Sequence, residues 1–170
     1  VEECSEDQDT VRELFVRALN AALDELTAMR MREGESLKHD MLGKLDTIEL
    51  LRGQIEERAP YVIEEYREKL SQRLSALLSG DVDEARFMTE VAIFADRAAI
   101  DEELVRLTSH IAQLRAATEM ENPVGRKLDF LVQELNREFN TIGSKASDAQ
   151  IAQCVVEAKG EIEKLREQVQ

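Results

Sequence analysis

From Val11 to Val169 apolar side chains return every three or four residues, with little to interrupt them. That period collects them on one side of an α-helix, whereas a half-buried strand would alternate with a period of two. Only 7 Gly and 2 Pro occur in 170 residues, too few turn formers for a chain of many short strands. The fold class expected is therefore all-α: a long-helix region, hairpin or coiled coil, followed by a C-terminal helical bundle.

Residues 1–8 form an acidic leader without periodicity and read as a linker remnant of a larger protein, since no initiator Met precedes them. Residues 9–80 make the long-helix region. Its first stripe, Val11, Leu14, Phe15, Ala18, Leu19, Ala22, Leu26 and Met29, is expected to end at a Gly34 cap. A second stripe runs from Leu37 through Met41, Leu45, Ile48, Leu51 and Ile55 to Pro60, which should kink the helix or begin a new one. Residues 81–170 make the C-terminal domain. Asp81 or Asp83 caps its first helix, and the apolar phase slips at Ala99-Ile100-Asp101, where Asp101 can cap another. Asn122-Pro123 is a helix start, the next helix runs to Gly143, and Ser147-Asp148-Ala149-Gln150 has the form of a capping box. Six or seven helices are expected.

A net charge of −14 removes general attraction to the nucleic-acid backbone, and 4% aromatic residues with no Trp leave few surfaces for stacking bases. Cys4 and Cys154 make no disulfide framework, Cys154 being expected as buried packing, and no apolar run approaches a membrane span. A cytoplasmic protein is expected. The charge is uneven, however. Residues 1–121 hold 28 acidic against 15 basic residues, whereas residues 122–145 carry a net of +1.

That one favourable stretch contains Arg126, Lys127, Arg137 and Lys145. Free N–H groups at the start of its helix, beside Arg126 and Lys127, can receive an anion; a capped helix with two surface cations explains the same residues. Glu134 and Glu138 are i,i+4 neighbours whose carboxylates can converge, and a divalent ion such as Mg²⁺ or Mn²⁺ suits that oxygen pair. Ion pairs with Lys127 and Lys145 are the plainer alternative. Asp129, Asn136 and Asn140 lie on the other exposed side of the helix. His110 belongs to a polar row with Glu103, Arg106 and Gln113, where it can serve as base, metal ligand or phosphate contact, or simply be exposed. His39 sits in a charged, solvated stretch. No HxxxH, CxxC, P-loop or GxSxG pattern occurs, which leaves nucleotide-dependent phosphoryl transfer and serine hydrolysis unsupported.

Two long stretches carry a resemblance. VDEARFMTEVAIFADRAAIDEELVRLTSHIAQLR and NPVGRKLDFLVQELNREFNTIGSKASDAQIAQCVVEAKGEIEKLREQVQ resemble the C-terminal domain of the YicC/YloC endoribonucleases, and AMRMREGESLKHDMLGKLDTIELL resembles that family's central helical region. Measured against that family, these 170 residues are expected to lack a mixed α/β N-terminal domain and a short tail that would follow Gln170. The resemblance implies a bacterial, metal-dependent nuclease for structured, hairpin-like RNA, including small regulatory RNA. It implies a homo-oligomer, with a hexamer as its working form, and contact with a partner nuclease of RNA degradation.

On this reading His110, Glu134 and Glu138 are the catalytic and metal-holding residues. Arg126, Lys127, Arg137 and Lys145 bind phosphate, and Glu103, Arg106, Asp129, Asn136 and Asn140 support them. Carboxylates beside cations favour hydrolysis by metal-activated water over attack by the RNA's own 2′-OH, which commonly uses two histidines. The truncated chain itself is expected to be weakly active or inactive. The alternative is a non-catalytic oligomerisation or adaptor module that presents RNA to other nucleases.

Overall fold

The computed structural model describes residues 8–77, 83–120 and 122–169. These residues are helical, without a strand among them, in five helices: α1 (Gln8–Leu77), α2 (Glu84–Ala98), α3 (Asp101–Thr118), α4 (Gly125–Lys145) and α5 (Ala149–Val169). The two expected breaks in the first region are not there, which accounts for the lower number. Helix α1 is continuous for 70 residues through Gly34 and Pro60. Gly34 keeps a negative φ, among strong helix formers, so the segment bears only the roughly 1 kcal/mol that glycine costs inside a helix. Pro60 is exposed, as is Glu56, whose carbonyl loses its usual donor and can turn to water.

The chain divides into two compact units, residues 1–40 and 41–170. In the first unit α1 is exposed along nearly its whole length. Val11, Leu14, Phe15, Leu19, Leu26 and Met29 make an apolar stripe that no other described residue of that unit covers.

The second unit holds the core. Met41, Leu45, Ile48, Leu51 and Ile55 of α1 pack into one cluster with Leu104, Leu107, Ile111 and Leu114 of α3. Leu131, Leu135, Phe139 and Ile142 of α4 and Ile151, Val155, Ile162 and Leu165 of α5 complete it. These are the heptad positions of each stripe, and complete burial of one such side chain contributes about 1.5–3 kcal/mol. Helix α2 joins through ring stacking: Phe94 lies on Tyr66 of α1, centroids 3.7 Å apart and planes within 7°.

Helix ends follow local chemistry. Asp83 caps α2 by accepting from the N–H groups of Ala85 and Arg86. Ile100, 2% exposed, takes the N-cap position of α3, so Asp101 is its first helical residue and not its cap. Helix α4 starts at Gly125, two residues later than Asn122-Pro123 predicts, because the Val124 carbonyl accepts from both Lys127 and Leu128. It also runs past Gly143, where a Cβ would stand 3.2 Å from Val155 Cγ1; this glycine serves a close α4–α5 approach and not a helix end. Asp148, in place of Ser147, caps α5 through Gln150 and Ile151.

The same Asp148 is tied to α1. Its Oδ2 accepts from Arg58 Nη2 at 2.8 Å and Nε at 3.2 Å, and Arg58 also holds Glu65 at 2.6 Å. The Arg58 hydrogen bond, strengthened by the two backbone N–H donors, keeps the Asp148 carboxyl below its ordinary value against the effect of burial. A carboxyl whose folded pKa is depressed stabilises the fold above its unfolded value, and that contribution disappears as pH falls through the folded one. Asp148→Ala is expected to cost about 1–2 kcal/mol at neutral pH through the lost cap alone. Asp148→Asn keeps an acceptor for the cap and should retain part of the stability while flattening its fall below about pH 4. Urea midpoints across pH check both.

Candidate functional site

Helices α3 and α4 run antiparallel, as their cross-pairs show. Glu103 meets Lys145, Arg106 meets Glu138, and His110 meets Glu134 and Glu138. The apolar residues of the two helices form the inner edge of this seam, and the polar row of α3 meets the polar border of α4 along its outer edge.

At the centre, one ligand atom each from His110, Glu134 and Glu138 lie within 4.8 Å of one another. These side chains come from two helices, and the i,i+4 spacing of the two glutamates presents both toward the same imidazole. Glu138 is 3% exposed, and His110 and Glu134 are half-buried. The imidazole Nδ1 is buried with no hydrogen-bond partner. One imidazole, two carboxylates and an unsatisfied ring nitrogen are a suitable donor set for a divalent ion. Three donors about 2.1 Å from one ion would stand roughly 3–4.2 Å apart, so these side chains would draw inward to share it.

Arginines flank the carboxylates. Arg106 Nη1 lies 3.7 Å from Glu138 and its Nη2 3.0 Å from Glu102, while Arg137 lies 3.8 Å from Glu134. These offset the repulsion between the two glutamates without making short contacts to either.

One turn farther along the seam, Glu103 is only 4% exposed, so the row to which it belongs is not simply a solvated face. Its Oε1 accepts from Lys145 Nζ at 2.9 Å, while Oε2 is buried without a partner. Burial opposes the charged carboxylate. The Lys145 hydrogen bond, with the charges of Lys145 and Arg106, outweighs it and holds the carboxyl below its ordinary value. Lys145 is thus engaged by Glu103. It neither pairs with Glu138, the i,i+7 alternative, nor stands free for phosphate.

The remaining residues are distributed as follows. Arg126 and Lys127 are exposed and make no ion pair among the described residues. Asn140 accepts from Lys159 of α5 at 2.8 Å, and Asp129 accepts from Gln133 at 2.8 Å. With Asn136 they share the side of α4 away from His110, so the structure does not bring these three to the cluster. His39 is exposed in the first unit. Cys154 is half-buried, not fully packed; its Sγ lies 3.5 Å from Gln54 Oε1, and burial followed by the charge of Glu157 pushes the thiol up. Cys4 lies outside the described residues. Two residues carry weight that their local sequence does not signal: Lys159, placed by the α4–α5 packing, and Phe130, exposed one helical turn before Glu134.

The Glu103–Lys145 pair makes a stability prediction. Lys145→Met leaves a buried carboxylate unpaired and should cost roughly 1–3 kcal/mol, with part recovered by adding Glu103→Gln. Because the native Glu103 pKa is depressed, the deficit should be greatest at neutral pH and shrink as pH falls below about 4.5. Denaturation of the single and double variants at pH 7 and pH 4 measures it.

Residues 55–170 match the family described as Endoribonuclease YicC-like, C-terminal. The chain is 47% identical over 175 residues to "Probable endoribonuclease YicC" of Clostridioides difficile (strain 630), with 100% of this chain and 59% of that protein aligned. It is 38% identical over 171 residues to the protein of the same name from Haemophilus influenzae, again with 100% of this chain and 59% of that relative aligned. The chain therefore spans about three-fifths of the length of these relatives. The His110, Glu134 and Glu138 cluster falls inside the matched region, and the chain belongs to the YicC-like endoribonuclease family.

Proposed function

We propose that this chain carries the cutting site of a metal-assisted endoribonuclease that hydrolyses phosphodiester bonds in structured, hairpin-like RNA. The observation that carries this reading is the convergence of His110, Glu134 and Glu138 from two helices, with an unpartnered imidazole nitrogen among them.

In this proposal the three residues hold a divalent ion, Mn²⁺ or Mg²⁺. When bound, the ion supplies Lewis-acid stabilisation of charge on the phosphoryl oxygens and a water acidic enough to attack at neutral pH. The chain's own residues do the rest. Arg126 and Lys127 have no competing ion pair among the described residues and take the RNA phosphates, aided by the start of α4, whose first turn contains no acid. Arg137, 75% exposed, reaches outward from Glu134 to a further phosphate. Arg106 balances Glu138 and holds its carboxylate at the edge of the seam. Lys145 is a positioning residue, acting through Glu103.

A homo-oligomer, with six copies, is the working form in this reading, and the exposed stripe of the first unit offers a face for a second copy. Copies arranged around RNA would present the cations of α4 inward while the acidic remainder faces outward. Such an enzyme would work in the cytoplasm, beside other RNA-degrading nucleases. No helix among the described residues is long and apolar enough to cross a membrane. The 170 residues alone should turn over more slowly than a full-length protein, whose remaining length would add RNA contacts.

Glu134→Gln or Glu138→Gln in the full-length protein should reduce cutting of a labelled hairpin by more than about 100-fold, beyond the roughly 10–100-fold typical of residues one layer from a metal. Fold and RNA affinity should be retained. EDTA should stop wild-type cutting, Mn²⁺ or Mg²⁺ should restore it, and the product should end in a 5′-phosphate. Unimpaired cutting by both variants, or a 2′,3′-cyclic end, would refute the site. Binding without cutting in a nuclease-free preparation would favour the adaptor role.

A further inference from the structure

The RNA-facing reading of α4 leaves one exposed side chain unexplained. Phe130 is 58% exposed, although its helix has a complete apolar stripe elsewhere. It lies one turn before Glu134, with Arg126 and Lys127 one turn before it and Arg137 two turns after.

The other aromatic residues have different settings. Phe139 is fully buried, Phe87 of α2 is half-buried, and Tyr66 and Phe94 stack on each other. Phe15 is exposed, but it belongs to the apolar stripe of the first unit. Tyr61 is 63% exposed among Glu57, Glu64 and Glu65, which would repel a phosphate chain. Phe130 combines an open ring with cations one turn before it and Glu134 one turn after it.

We propose that the Phe130 ring is a stacking platform for one unpaired RNA base, whose neighbouring phosphates are held by Arg126, Lys127 and Arg137. A ring face accepts any base because every base has a π-face, so the contact selects for an unpaired nucleotide and not for a sequence. Bases inside a duplex have their faces covered by their neighbours, so the platform favours a hairpin loop or a single-stranded flank. One turn of helix separates it from Glu134, about 6 Å along the axis, which sets an unpaired nucleotide beside the cluster. The inference rests on the proposed RNA-cutting role, yet it concerns binding and is tested with cutting switched off.

In EDTA, affinity is measured for a fluorescein-labelled hairpin with an eight-nucleotide loop and for a blunt duplex of equal length. Phe130→Ala should weaken hairpin binding roughly 10- to 100-fold and leave duplex binding unchanged. Phe130→Leu, apolar but without a π-face, should not restore it. Because the chain contains no Trp, Phe130→Trp adds a single reporter whose emission the hairpin should quench and the duplex should not. Wild-type hairpin affinity in Phe130→Ala and Phe130→Leu would overturn the proposal, as would a wild-type chain that binds no hairpin. So would a changed sedimentation of Phe130→Ala with RNA affinity intact, which would assign the ring to a contact between copies. Failure of the Glu134 and Glu138 variants to stop cutting would refute the cutting site alone.

Discussion

A dry apolar seam and a charged row share the two faces of the α3–α4 contact. Leu104, Leu107, Ile111 and Leu114 close against Leu131, Leu135, Phe139 and Ile142, and this packing holds both helices in one antiparallel register. The register in turn decides which charges meet. With Leu107 and Phe139 fully buried, neither helix can slide, and so Glu103, Arg106 and His110 face Lys145, Glu138 and Glu134. A buried carboxylate away from water needs a cation nearby, and each of these glutamates has one from Lys or Arg. The candidate site thus depends on apolar packing that takes no part in its chemistry.

Much of this was legible in the sequence because it is local. The apolar rows identify the core positions of α3, α4 and α5, and the i,i+4 glutamates place two carboxylates on one side of α4 whatever the rest of the chain does. Pairings across 42 residues were not legible. Glu103–Lys145 follows from the α3–α4 register, which no residue near either partner encodes. The mistaken breaks at Gly34 and Pro60 have a different origin. Each residue lowers local helix propensity by about 1 and 3 kcal/mol, but ending a helix and starting another carries its own nucleation cost, and α1 continues through both. At Gly143 the sequence signals of a helix end and of a close helix crossing are identical; only the position of Val155 distinguishes them.

The net charge of −14 poses the sharpest question for a chain proposed to meet RNA. Total charge governs long-range approach, but charges farther than a Debye length of about 8–10 Å from a docked phosphate are screened, so at contact the local surface matters more than the sum. Many acids are already engaged: Asp148 and Glu65 with Arg58, Asp46 and Glu49 with Arg115, and Glu103 with Lys145. On α4, Arg126 and Lys127 make no ion pair among the described residues, and the ion pair of Arg137 with Glu134 is a long one.

A helix also solves a positioning problem that a loop would leave open. Arg126, Phe130, Glu134 and Glu138 recur every fourth residue on α4, so their axial spacing is fixed at about 6 Å per step by backbone hydrogen bonds alone. The same helix is pinned along its inner face by Leu131, Leu135, Phe139 and Ile142, which prevents rotation about its axis. Exposed cations, an open ring and neighbouring carboxylates are therefore held in one rigid sequence of steps. Moving any one relative to the others would require breaking the apolar seam, and this is why a stable bundle is a suitable frame for a site whose groups must keep fixed spacings.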